Sequence, residues 1–549
     1  MKRELTLLSL ILPLALLWIA GCGEQDAGTG SSMPGRDSND SQSDIANNQA
    51  SNPAVSDNAE SGVEGTQKTA QDESTEEPYE LIDMEAAANA WKDWPRPEAL
   101  LVITGRQHGY IEPCGCTGLD RQKGGMARRF TLIEQLKEKG WPILAVDAGN
   151  QVRRFGRQAE VKLQQTVNAL KQMDYKAVGF GPDDLRLGVG ELLSVAAGET
   201  EDDTIFTSAN VVLIDPSLMP QSKLVRVGNL NVGITSVIDP ETISGQISDE
   251  IEIRDPIQAA RIAASKWRPD IVSLRVLLFY GSEEAAKELA SQVPEFRLII
   301  VAGGYGEPTF EPIRIPNSPT RIILTGEKGM YAGLFGLFER GESKYARVPL
   351  THDFEDAPEM RQLMKEYQDQ LKDIGLSGLG LLPGIPHPSE QQFVGSEKCG
   401  ECHTTAYDIW KSTPHALATT HLIEPPKERG DIARHFDPEC LSCHSTGWNP
   451  QDYYPYLSGY VSQEASKHLM GNGCENCHGP GSGHVAAEVE GTSIATVRRD
   501  ELRRSMQLPL AKAKKKCMTC HDLDNSPDFH EENAFEEIYW PEVEHVGLD

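Results

Sequence analysis

Four copies of one five-residue pattern crowd the last quarter of the chain: Cys399-Gly-Glu-Cys402-His403, Cys440-Leu-Ser-Cys443-His444, Cys474-Glu-Asn-Cys477-His478 and Cys517-Met-Thr-Cys520-His521. Two thiols at this spacing reach the two vinyl groups of one porphyrin, and the adjacent imidazole meets the iron as its proximal ligand. A zinc site gives no reason for a histidine to follow every second cysteine directly. The pattern therefore predicts four covalently held c-type haems, with the eight cysteines as thioether donors and His403, His444, His478 and His521 on the irons. From 389 to 549 neither helical nor strand periodicity persists and turn residues are dense, so the polypeptide alone makes a poor core and the porphyrins supply the missing apolar bulk. A mainly α and irregular multihaem cytochrome c domain is expected there.

Second axial ligands must come from other histidines. Seven more lie in this region, His415, His421, His435, His468, His484, His530 and His545, which exceeds what four irons need. Val394-Gly-Ser-Glu-Lys-Cys399, Trp410-Lys-Ser-Thr-Pro-His415, the run from Gly473 to His484 and Ser526-Pro-Asp-Phe529 resemble the cytochrome c-554 family of tetrahaem electron carriers. The resemblance implies His484 as distal ligand of the first haem, His415 of the third and His545 of the fourth, with His530 as a rival to His545. It also implies that the second haem either lacks a distal protein ligand or takes His421, His435 or His468.

The middle of the chain reads differently. Strands are expected at Leu100 to Thr104, Pro142 to Asp147, Lys176 to Val178, Val232 to Ser236, Asp270 to Leu274, Arg297 to Val301 and Thr320 to Leu324. Helical patterns separate several of them, at Gly125 to Lys139, Glu160 to Met173, Pro256 to Trp267 and Glu283 to Gln292, which predicts a layered α/β domain over residues 98–350. A helical linker would fill 351–388, before the haem domain at 389–549.

The loop order of 98–350 resembles the metallophosphoesterase domain of bacterial 5′-nucleotidases, whose two metals sit on Asp and His side chains at the strand ends. Here Thr104-Gly-Arg106-Gln-His108 keeps the His but has Arg106 for the first Asp, and Asn150 stands for the next. Pro182-Asp183-Asp184 replaces Asn-His-Glu, Phe279 stands near the single His, and Gly304-Tyr305-Gly306 replaces the final His-x-His. One His and an arginine do not make a dimetal centre, so the resemblance implies the scaffold with its metal ligands lost, and phosphoesterase activity is expected to be absent. Cys114 and Cys116 remain as a structural, redox or metal-binding pair.

The first residues set the compartment. Met1-Lys2-Arg3, the apolar run Leu7 to Ile19 and Ala20-Gly21-Cys22 have the form of a lipoprotein signal over 1–22, with lipid added at Cys22. Residues 23–90 are mostly Ser, Asp, Asn, Gln and Glu and are read as a disordered tether, whose coil would span roughly 40 Å. A periplasmic or cell-envelope protein anchored to a membrane follows. The net charge of −30 excludes a generic nucleic-acid binder and favours a redox protein partner with a basic docking face. Two functions fit these features: an electron carrier between redox partners, or a multihaem oxidoreductase acting on a small nitrogen or sulfur compound at an open haem. The anchor is tested by Cys22→Ala, which should move the protein from washed membranes to the soluble fraction with its haem content unchanged; retention in the membranes would contradict the assignment.

Overall fold

The computed structural model describes residues 83–113, 122–198, 202–304, 307–490 and 495–547. Cys22, the leader, most of the tether and the Cys114/Cys116 loop lie outside the described residues, as do Tyr305 and Gly306. Among the described residues no helix is long and apolar enough to cross a membrane.

Two sheets form the α/β region. In the first, β1 (Ala99–Thr104), β2 (Ile143–Asp147) and β3 (Tyr175–Val178) run parallel, and the antiparallel pair Tyr331–Leu337 and Ser343–Pro349 extends it beyond β1. The second is ordered Ile313–Arg314, Arg321–Leu324, Leu298–Ala302, Leu274–Tyr280, Leu230–Ile238, Lys223–Val227, with its central strands parallel. Strand alternation sets the layers. In Leu274–Tyr280, Val276, Leu278 and Tyr280 join the core shared with the first sheet, whereas Leu277 and Phe279 point to the helices Pro256–Ser265 and Glu283–Gln292 on the other face. β1 is buried at every position, as a strand must be when both faces are covered.

Sequence periodicity locates the parallel strands and four of the helices, but not the helix Val189–Ala196 or the antiparallel strands Val211–Leu213, Lys223–Val227 and Ile251–Ile253, and two further departures have a clear cause. Asp270 to Val272 form a turn, because Pro269 breaks the strand and the Ile271 and Val272 amides bond back to the Arg268 carbonyl; the strand starts at Leu274. The hairpin of Tyr331–Leu337 with Ser343–Pro349 is not evident from the sequence because its first strand holds no β-branched residue and Gly333 and Gly336 interrupt its apolar run. The Tyr345 ring lies over Gly333 and Phe338 over Gly336, so glycine there makes room for a neighbouring aromatic.

The outer segments of the expected boundaries also differ. Residues within the supposed tether form a helix, Met84–Asn89, whose first amides bond to Asp83, and Trp91 beyond it is 2% exposed. One buried indole suffices to order this end. The supposed linker contains the helix Pro358–Gly378, and Met360, Leu363, Met364, Tyr367 and Leu371 make a helical-period stripe that is part of the main core. It packs on the helices Arg157–Gln172 and Met126–Glu138 and is a layer of the domain.

Beyond residue 389 the elements shrink to short helices and two-residue strands around two small clusters, one with Phe393, Leu441, Trp448 and Tyr460, the other with Phe529 and Phe535. Leu371→Ala should lower the stability of the chain to urea by about 3 kcal/mol, as expected for a fully buried leucine. A change below about 0.5 kcal/mol would instead mean that Pro358–Gly378 is a surface linker.

Candidate functional site

Each cysteine motif rests on a short helix. Ser396–Gly400 carries Cys399, Pro438–His444 and Cys474–His478 end on their own histidines, and Leu510–Cys517 ends on the first cysteine of the fourth motif. Asp437 caps the second of these by accepting the Glu439 amide, with Pro438 preset for the first turn. All eight cysteines are free of disulfides.

The motifs contact one another out of sequence order. Cys399 and Cys474 are hydrogen-bond neighbours, and the Cys474 amide donates to Ser396 Oγ at 3.1 Å. Buried Glu475, beside Cys474, accepts the amides of Val394, Gly395 and Gly481 at 2.7 to 3.0 Å, fastening the third motif to the segment before the first. Cys520 and Cys443 are likewise neighbours, and Cys477 faces Cys517 and Cys520. The motifs are therefore strung first, third, fourth, second.

Three imidazole pairs face each other across gaps. Ring centroids are 6.2 Å apart for His403 and His484, 5.7 Å for His478 and His545, and 6.1 Å for His415 and His521. Two ring nitrogens each about 2 Å from one metal put the centroids about 6 Å apart, so these residues fit an iron held between them. The first pair is the one that the resemblance implies. The other two are exchanged: His545 stands opposite the third motif and His415 opposite the fourth. The physical reason is the placement of the helix Pro414–Ile423, whose His415 is held near the fourth motif while its carbonyl accepts the Asn472 amide. His530 is not the fourth partner, since its Nε2 donates to the His521 carbonyl at 2.8 Å. His468 lies by Gly395 and Glu475, near the first and third motifs, and His421 and His468 are both exposed. His435 rests on Phe436, and His444 Nδ1 donates to the Ala418 carbonyl at 3.1 Å.

Second bonds fix the proximal rings. His478 Nδ1 donates to the Met506 carbonyl at 2.7 Å and His521 Nδ1 meets Ser526 Oγ at 3.0 Å, which leaves Nε2 of each as the nitrogen for a metal. Burial lowers the pKa of His415, His478 and His484, and takes His521 down to about 4. These rings are neutral at physiological pH, the form that ligates a metal.

Among the described residues the strand-end loops of the α/β region hold no comparable site. Arg106 donates to the Gly304 carbonyl and pairs with Glu327 at 2.7 Å. Asp147 is consumed by Thr104, Gln151 and the Gly149 amide, and Asn150 exchanges hydrogen bonds with Asp183. Asp184 accepts three backbone amides, and its burial raises its pKa to about 7. Arg106, His108 and Asn150 all have positive φ, a strained geometry that clusters at functional loops. Among the described residues no group of three or more His, Cys, Asp and Glu converges to hold a bare metal ion.

These same loops instead grip the haem region. Asp524, just past the fourth motif, takes Lys328, the Tyr110 hydroxyl at 3.3 Å and Arg153 at 3.6 Å. Glu439, next to Cys440, pairs with Lys162 at 2.6 Å, and Arg154 lies 3.4 Å over the Tyr453 ring. Arg434 makes a bidentate bond to Glu112. A cleft of about 130 Å³ runs along this seam, lined by His108, Arg153, Lys162, Glu439 and Tyr453. Burial, followed by the positive charge of Arg106, Arg153 and Lys328, pushes His108 down to about 3. Sequence reading missed Glu439, Glu475 and Asp524. The one available signal was a carboxylate within four residues of a motif in each case.

Residues 398–479 match the family described as cytochrome c554 and c-prime. Cytochrome c-554 of Nitrosomonas europaea is 27% identical over 162 residues, covering 27% of this chain and 65% of its own length. Snake venom 5′-nucleotidase of Crotalus adamanteus is 24% identical over 227 residues, covering 38% of this chain and 37% of that protein. Among solved structures, a 5′-nucleotidase precursor from Thermus thermophilus aligns with a TM-score of 0.43 at 16% identity, over 61% of this chain and 80% of that one. The chain thus spans less than two thirds of the length of either curated relative. Its C-terminal region is cytochrome c-554-like and its middle region 5′-nucleotidase-like.

Proposed function

We propose that this chain is an exported, lipid-anchored carrier that relays electrons between redox proteins through four covalent haems. The family match supports a c-type cytochrome in electron transfer, and the observation that carries the fuller reading is the set of three imidazole pairs, each joining one motif histidine to a histidine from outside that motif. Haem, when bound, supplies reversible one-electron chemistry at its iron. The chain's own part is to hold the groups and keep them in order. Eight cysteines would carry the thioethers, and buried neutral imidazoles would complete the axial sites without adding charge. The order first, third, fourth, second brings each motif against the next, as a relay requires. Periplasmic or envelope placement rests on the lipoprotein-like leader, and the acidic bulk of the chain suits a partner with a basic docking face.

Pyridine haemochrome analysis should count four haems per chain. His545→Ala and His415→Ala should each convert one low-spin iron to high-spin. In a background lacking the fourth attachment site (Cys517→Ser with Cys520→Ser), His545→Ala should still do so while His415→Ala adds nothing. The reverse outcome would restore the pairing implied by the family resemblance. The same spectra report on the iron below His444, since a centre open to substrate would be high-spin and take up nitric oxide or cyanide. Separately, the protein should show no manganese- or zinc-dependent hydrolysis of AMP, because Arg106 and Asn150 stand where ligands would be needed. Turnover that follows added metal would contradict this.

A further inference from the structure

The chain is strongly acidic, yet one stretch beside the haem motifs reverses sign. Between 495 and 520 there are eight lysines and arginines against two carboxylates, Asp500 and Glu501. They fall on two helices, Thr496–Ser505 and Leu510–Cys517. Arg498, Arg503, Arg504, Lys512, Lys514 and Lys515 are exposed. Basic residues in a last helical turn complement the helix dipole, and that accounts for one or two such charges but not for so many on adjoining helices. Arg498, Arg503 and Lys514 pair with Glu501, Glu488 and Glu536. Arg504, Lys512 and Lys515 make no ion pair among the described residues, which leaves a net positive face.

Its position relates it to the haem sites. The helix Thr496–Ser505 packs on Ser482–Glu490, which carries His484 opposite His403. Met506, directly between the two basic helices, offers the carbonyl that orients His478. Leu510–Cys517 ends in the first cysteine of the fourth motif. The α/β region covers other ground, gripping the second motif at Glu439 and the loop after the fourth at Asp524.

We propose that these two helices are the docking face for a redox protein with an acidic surface, and that electrons pass there to the first and third haem sites. The proposal rests on the electron-carrier reading and adds a second port to it, so that a basic partner on the acidic bulk and an acidic partner here would serve opposite ends of one relay. In each encounter one electron leaves the partner's reduced centre and one ferric iron becomes ferrous, with no bond made or broken. Charges of this kind act mainly on the association rate and are screened by salt within about 10 Å at 0.1 M.

The test uses the detergent-solubilised holoprotein and flavodoxin hydroquinone, an acidic one-electron donor, in stopped flow at 10 and 200 mM salt. The wild type should be reduced several-fold faster at low salt. Arg504→Gln combined with Lys512→Gln and Lys515→Gln should slow the low-salt rate about tenfold and flatten the salt dependence, with haem count and optical spectrum unchanged. Equal rates and equal salt dependence in wild type and variant, with four haems in place, would overturn the docking face alone. A wild type without covalent haem would sink the carrier reading and this proposal with it. On a Cys22→Ala background, loss of binding to phosphatidylglycerol vesicles with the flavodoxin rate unaltered would mark the face as a lipid contact and refute the proposal.

Discussion

An iron that takes two axial nitrogens demands that two imidazoles stand with their ring centroids about 6 Å apart. His403 with His484, His478 with His545 and His415 with His521 meet that demand. The short helices of the first and third motifs and the buried Glu475 are arranged around the first two of these pairs. The apolar clusters there are small, and the segments between motifs are too short and polar to hold one another by burial alone. What keeps the region ordered in the chain is a lattice of hydrogen bonds that aims histidines.

The α/β region contributes a different constraint. Its strand-end loops present cations, the Tyr110 hydroxyl and Glu112 to the haem region. Lys162 sits buried against Glu439. Burial alone would lower its pKa, yet Glu439 and Asp437 outweigh that and hold it raised, while Lys162 in turn keeps Glu439 ionised against its own burial. Removing one member of such a pair would strand the other charge, so either single substitution should cost more than the intact pair contributes.

Much of this was legible in the sequence, and the reasons for the rest are specific. The four motifs and their proximal histidines follow from covalent chemistry, which leaves a rigid spacing. The parallel strands are continuous apolar runs and read easily. The hairpin of Tyr331–Leu337 with Ser343–Pro349 did not, because its glycines make room for aromatics, Tyr345 of the partner strand and Phe338 just past the first, and so break the apolar run. His415 and His545 stand nearest His521 and His478, the reverse of what the family resemblance implies: which rings come together depends on where helices such as Pro414–Ile423 come to rest, and no local spacing encodes that. Asp524 and Glu439 were invisible for the same reason, since their partners lie hundreds of residues earlier.

The three facing pairs overlap along the chain. His403 joins forward past His415 and His478 to His484; His415 reaches past both to His521; His478 reaches to His545, near the end. With iron between each pair, the coordination bonds become three interleaved cross-links, each closing a loop of roughly 70 to 110 residues. Loop closure of that size restricts an unfolded chain as a long-range disulfide does. Metal loading would then do for this small-cored region what disulfides do for many exported proteins. On the proposed reading, the eight cysteines that could have served that purpose would carry the porphyrins instead.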